Sequence, residues 1–207
     1  MIHGYHVILT MYGYWLPNDP RGSWSDFVRR WELVHFGRPR RTILKKSFSE
    51  LTPQEIATRN AAQRALLYPP VTLDDDQVKS IAAGFAEVVG KSGYTIWACA
   101  LMPQHTHLVI ARHTYKVEQI ATLLKGAATR RIVEDGRHPM KQQLEANGQL
   151  PSMWARGCWK VYLDNDEAIM NAIRYVEENP IEEGKPRQRW PWVAPYRGLD
   201  SGWVTYH

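Results

Sequence analysis

Cysteine is scarce: Cys99 and Cys158 are the whole supply in 207 residues. Two thiols, each among apolar or aromatic neighbours, make neither a disulfide framework nor a cysteine-based metal spacing, so a reducing cytoplasm is the expected compartment. Long hydrophobic runs are missing as well. No apolar stretch approaches the roughly 20 residues needed to span a bilayer. The start, Met1-Ile2-His3-Gly4-Tyr5, lacks the charged and apolar regions of a signal peptide. A membrane partner is therefore not expected. Internal repeats and a second-domain boundary are also absent, which leaves one domain over 1–207, with 44% hydrophobic residues to fill its core.

Basic and aromatic residues are plentiful. The net charge is +5 and the pI about 9.2, a balance that suits a polyanionic partner. Nine tryptophans and ten tyrosines offer flat rings of the kind on which unpaired bases stack, although an aromatic-rich core would use the same residues. From Asn18 to Phe48, eight Lys/Arg stand against three Asp/Glu, with Trp24, Phe27, Trp31 and Phe36 between them. That stretch belongs to a basic insertion at about 18–70, either solvated or part of a DNA-binding surface. A second basic and aromatic segment forms the tail from Lys185.

Periodicity predicts a first strand over about Tyr5 to Trp15 and helical character from Pro53 to Leu67. A helix follows from the acidic run at Asp74 to about Lys91, where carboxylates favour the N-terminus. Strands over Thr95 to Leu101 and His105 to Ala111 are separated only by Met102-Pro103-Gln104, which implies an antiparallel hairpin. Next come a helix from Val117 to Glu134 and a short strand from Trp159 to Leu163. The last helix is capped by Asp164 or Asn165, runs to about Glu178 and is stopped by Pro180. The order strand, helix, two strands, helix, strand, helix predicts an α+β sandwich on an antiparallel sheet.

Chemistry concentrates in two places. Strand alternation sends His105 and His107 to the same side, where two imidazoles can ligate one divalent cation with a third ligand from elsewhere. A half-exposed strand with two polar residues is the plainer reading of a lone His-x-His. Here Leu108-Val109-Ile110 puts apolar groups on both faces, so the strand is interior and its histidines need partners. On the last helix, Ile169, Ala172, Ile173 and Val176 form an apolar stripe, and Tyr175 and Asn179 lie one turn apart on its border. Such a tyrosine is ordinarily a core-edge residue, and Asn before Pro ordinarily ends a helix. Together with the histidines the pair acquires a purpose. Tyrosine attack on a phosphodiester conserves the bond energy in a phosphotyrosine, and a cation held by two His and one Asn keeps its charge and open positions for phosphate oxygens.

These segments resemble the HUH-superfamily transposases with a single tyrosine, the insertion-sequence-200-like group, and especially the REP-associated tyrosine transposases. Four blocks carry the likeness in order: Tyr5-His6-Val7, then Met102-Pro103-Gln104-His105-Thr106-His107-Leu108, then Met153-Trp154-Ala155-Arg156-Gly157-Cys158-Trp159, and Tyr175-Val176-Glu177-Glu178-Asn179-Pro180. The resemblance implies a ferredoxin-like or RRM-like sheet with the His pair on a central strand. It implies Tyr175 as nucleophile, with Asn179 as a third metal ligand or its supporter. It further implies Mg²⁺ or Mn²⁺ as cofactor, single-stranded or hairpin DNA as substrate, and a 5′-phosphotyrosine intermediate with a free 3′-hydroxyl. Related enzymes include dimers whose tyrosine serves the partner's site and monomers that act alone, so a homodimer fits as well as a monomer. Arg29, Arg30, Arg40, Arg41, Lys125, Arg130 and Arg131 are the cations expected to track phosphates. Two features depart from the family pattern: Thr106 stands where a bulky hydrophobic residue is usual, and the 18–70 insertion is extra. A non-catalytic single-strand binding module on the same sheet explains charge and aromatics but not the joint presence of His105, His107 and Tyr175. A small-molecule hydrolase using the His pair fits the basic, aromatic flanks poorly.

Overall fold

Period-two alternation assigns each strand residue to one of two sheet faces. The computed structural model describes residues 1–16, 19, 33 and 48–199. They divide into two compact units, Met1–Leu9 with Leu73–Pro139 and Arg156–His207, and Thr10–Thr72 with Met140–Ala155. The first contains a four-stranded sheet built from β1 (Gly4–Thr10), β2 (Ile96–Leu101), β3 (His105–Ala111) and β4 (Trp159–Leu163) in the order β2-β3-β1-β4. The pairs β2–β3 and β1–β4 are antiparallel, and the order is that of a ferredoxin-like split βαβ arrangement, the α+β class that the element order predicts.

One face carries Ala98 and Ala100 of β2, Val109 of β3 and Leu163 of β4. Helix α4 (Asp166–Glu182) lays Ile169, Ala172 and Val176 on them, with Ile173 partly buried beside. This is the predicted stripe. The opposite face presents Val7, Leu9, Leu101, Thr106, Leu108 and Ile110, all buried. It is covered by α2 (Asp75–Ser92) and α3 (Val117–Glu134), which bury Ile81, Phe85, Ile120 and Leu124. Lys160, on that face of β4, accordingly pairs with Glu118 of α3. Asp74 caps α2 by accepting from Gln77 N at 2.8 Å, and Gly93, at φ 67°, ends it.

The tail closes the β2 edge. The Gln188 amide accepts from Leu101 N and donates to Leu101 O, both at 2.8 Å, and Ala194 N donates to Ile96 O. Backbone groups that would otherwise recruit a foreign strand are thus satisfied internally. Between these anchors Trp192 meets Phe85 edge-on at 6.1 Å.

The second unit contains α1 (Pro53–Arg64), opened by a Thr52–Glu55 capping box with proline at its first position. Leu16, Leu33 and Ala62 form its small core, and Arg59 pairs with the buried Asp19 at 3.2 Å.

Two predicted boundaries are corrected. The first strand ends at Thr10 rather than Trp15, because a turn begins at Met11 and Gly13 adopts φ 77°. The last helix does not stop at Pro180. It continues to Glu182, with Glu183 N donating to Asn179 O, and ends where Gly184 turns left-handed at φ 71°. A proline in a final turn removes one donor but leaves its own carbonyl and the residues before it helical.

Two stability tests follow from this packing. A Cβ on Gly84 would lie 2.7 Å from Ala127 O and Ala128 Cα across the α2–α3 contact, whereas one on Gly90 meets nothing within 4 Å. In urea melts Gly84→Ala should destabilise by about 1–3 kcal/mol, while Gly90→Ala stabilises by about 0.5–1 kcal/mol. Equal effects would contradict the helix contact. Thr106 is fully buried and its hydroxyl has no hydrogen-bond partner among the described residues. Thr106→Val should therefore raise stability by about 1 kcal/mol, and a loss would mean the hydroxyl is engaged.

Candidate active site

Three histidines meet under α4. His105 and His107 alternate with Thr106, so they share the face of Val109, the α4 side. Both are buried, at 7% and 3% exposure. His6 on β1 stands opposite Val161 of β4 and points to the same side, and its Nε2 lies 3.0 Å from His107 Nδ1 in a buried hydrogen bond. The His105 and His107 rings meet edge to face at 4.8 Å.

Tyr175 completes the group. Its ring lies 5.5 Å from His107 and 5.6 Å from His6, both edge-on, and 47% of the residue is exposed. The helix stripe that buries Ile169, Ala172 and Val176 turns position 175 to the border of the packed face, where the phenol reaches both imidazoles and solvent. One turn further, Asn179 is buried, and its Oδ1 has no hydrogen-bond partner among the described residues. Such an acceptor loses hydration without replacement, at about 1–3 kcal/mol. Glu183, just past the helix, brings Oε1 to 4.0 Å from His105 Nε2, and burial pushes its carboxyl above the usual range, against the pull of Lys185. Among the described residues no group of three or more His, Cys, Asp or Glu is placed to hold a metal ion; the third donor anticipated from the sequence, Asn179, is an amide.

The basic residues fare differently. Arg29, Arg30, Arg40 and Arg41 lie outside the described residues, as do Trp24, Phe27, Trp31 and Phe36. Lys125, Arg130 and Arg131 belong to α3, on the face opposite the histidines. Arg130 is exposed. Arg131 forms ion pairs with Asp135 at 3.2 Å and Glu87 at 3.5 Å. Lys125 donates to the Gly157 carbonyl beside Cys158, and burial pulls its ammonium down to about 8.

Sequence reasoning gave no role to His6 or Glu183. His6 stood within a family-like block, but its place beside His107 depends on β1 lying next to β3, which spacing along the chain does not reveal. Glu183 was hidden by ending the helix early.

No helix among the described residues is long and apolar enough to cross a membrane. No curated protein matches the chain. Among solved structures, a REP-associated tyrosine transposase bound to a REP hairpin is similar at 12% identity and a TM-score of 0.47, over 91% of this chain and 74% of that one. A protein of Deinococcus radiodurans R1, provisionally assigned as a transposase, is similar at 14% identity and a TM-score of 0.37, over 89% of this chain and 92% of that one. The family model described as "Transposase IS200 like" matches residues 70–179, more than half of the chain, a span running from before α2 to Asn179 and including both β3 histidines and Tyr175. The chain therefore belongs to the IS200-like transposase family, enzymes that cut and rejoin DNA.

Proposed function

We propose that this transposase acts on single-stranded or hairpin DNA through Tyr175. The phenolic oxygen bonds to the scissile phosphorus as the bond to the 3′ oxygen breaks, giving a 5′-phosphotyrosine and, after proton transfer, a 3′-hydroxyl. One observation carries this reading: a half-exposed tyrosine ring against two buried imidazoles, one of them from the His105–His107 pair. The tyrosine faces histidines of its own chain, which supports a site complete in a single polypeptide, whether or not the chain forms a homodimer. The whole chain is read as one catalytic domain with an inserted basic segment.

His105, His107 and Asn179 would hold a divalent cation, Mg²⁺ or Mn²⁺. The donor set suits one: two imidazoles lie on one strand face, and Asn179 offers a buried oxygen that no other group among the described residues satisfies. When bound, such a cation draws charge from the phosphate and orients it. The protein's own share is to orient the imidazoles through strand alternation, keep their surroundings dry under α4, and present the phenol at the rim. Phosphates away from the reacting centre would be met by Arg29, Arg30, Arg40, Arg41, Lys125, Arg130 and Arg131, and unpaired bases by exposed aromatic rings. Lys125 and Arg131, already engaged within α3's surroundings, should contribute less than Arg130.

The nucleophile is tested with a suicide single strand that traps the covalent product. Wild type should carry the downstream fragment through its 5′-phosphate, and peptide mapping should place it on Tyr175. Tyr196 is a poor rival, since burial and its hydrogen bond to Asp166 both push its phenol up. Tyr175→Phe should fold, bind DNA and form no adduct. An adduct persisting in that variant would reassign the nucleophile, and cleavage without adduct would indicate water as attacker.

The cation is tested separately. His105→Ala or His107→Ala should slow cleavage at least about a hundredfold, because several kcal/mol of charge stabilisation is lost. DNA affinity in a filter-binding assay should stay near wild type, and a chelator should abolish cleavage in the parent. Normal cleavage by either variant would make the pair structural.

A further inference from the structure

We propose that His6 is a positioning residue that fixes the tautomer and orientation of His107, accepting a hydrogen bond at Nε2 from His107 Nδ1–H; this rests on the reading of His107 as a metal ligand. The starting point is the 3.0 Å contact between His6 Nε2 and His107 Nδ1 in the buried space under α4. Two neutral imidazoles can share one proton there in two ways. If His6 donates, His107 carries its own proton on Nε2, and neither of its nitrogens offers a free lone pair. If His107 donates, its Nδ1 is satisfied by His6 and its Nε2 presents a lone pair to a cation. Only the second arrangement leaves His107 able to ligate.

The surroundings hold the His6 ring in place for that task. His6 meets Trp159 edge-on at 5.7 Å and 87°, and Tyr175 at 5.6 Å, while β1 is fixed between β3 and β4. Its ring lies nearly parallel to that of His107, with 27° between the planes and 5.3 Å between centroids. Outer partners of this kind set the orientation and basicity of metal-ligating histidines, and losing one typically weakens metal affinity about 10–100-fold. Because His6 also touches Tyr175, one side chain connects the nucleophile's ring to the cation's ligand.

Phenylalanine at position 6 keeps a ring against Trp159 and Tyr175 but removes the acceptor. Glutamine places an oxygen near where the imidazole Nε2 stood. In Mn²⁺ titrations followed by electron paramagnetic resonance, His6→Phe should bind about 10–100-fold more weakly than the full-length wild type. His6→Gln should recover most of the difference. At saturating Mn²⁺, electron spin-echo modulation should count the same coordinated imidazole nitrogens in wild type and His6→Phe. In the metal-free protein, ¹⁵N ring shifts should show His107 as the Nδ1–H tautomer in wild type and a mixture in His6→Phe.

Unchanged affinity in a folded His6→Phe overturns the proposal. So does loss of one coordinated nitrogen, which would make His6 itself a ligand. If wild type binds no Mn²⁺ in a His107-dependent manner, the metal reading fails. The ring shifts then decide the pair alone, and an Nε2–H His107 in wild type overturns the positioning role.

Discussion

The packing of α4 on one face of the sheet is the constraint on which the rest depends. Ile169, Ala172 and Val176 sit on Ala98, Ala100 and Val109, a surface made shallow by two alanines on β2. Small residues there let the helix approach closely. Its rotation about its own axis is then fixed, because a stripe of three buried side chains leaves little freedom to roll. That rotation places Tyr175 at the rim and Asn179 inside. The same alternation that buries Val109 puts His107 and His105 under the helix, so apolar packing and polar chemistry share a single register. A one-residue slip of β3 would send both histidines to the α2–α3 face and Thr106 to the site.

Much of this was legible in the sequence, for identifiable reasons. The bounds of α3 and β4 and the β2–β3 hairpin follow from strong periodicity and from short, unambiguous connections. The apolar stripe of α4 and the common face of His105 and His107 need only the periods 3.6 and 2. What spacing could not supply is adjacency across the sheet. His6 lies 101 positions before His107, and their contact exists only because β1 lies between β3 and β4. Local turn chemistry also misled. Trp15 extends a hydrophobic run that reads as strand, yet Gly13, whose positive φ favours glycine, turns the chain two residues earlier.

Burial and exposure within the site are divided in a way that suits the tasks proposed for its residues. The imidazoles are nearly inaccessible, where a fixed ring orientation and a low local dielectric strengthen polar contacts. The phenol is half exposed, as the nucleophile proposed for a polymeric substrate has to be. Lys125 illustrates the opposite condition. Partly buried and tied to the Gly157 carbonyl, it has one donor fewer to offer a phosphate. Arg130, on the same helix, is exposed to solvent and offers its planar fork of donors there.

The continuation of α4 beyond Pro180 bears on the chemistry as well as the fold. Had the helix ended at Glu178, Asn179 would sit in a cap, free to turn its amide toward nearby backbone groups. Within the helix its carbonyl accepts from Glu183 N, its backbone is fixed, and its side chain is confined to the buried side. Proline next to it cannot donate to the Val176 carbonyl, so the turn that carries Asn179 is weakened by one hydrogen bond. The molecule thus tolerates two local penalties side by side, a missing helical donor and an unsatisfied buried oxygen. Both fall one turn from Tyr175, and the extra turn brings the Glu183 carboxylate toward His105. A sequence optimised only for stability would remove them; their place beside the tyrosine and the histidines is where a functional site is expected to break the rules that the rest of the chain obeys.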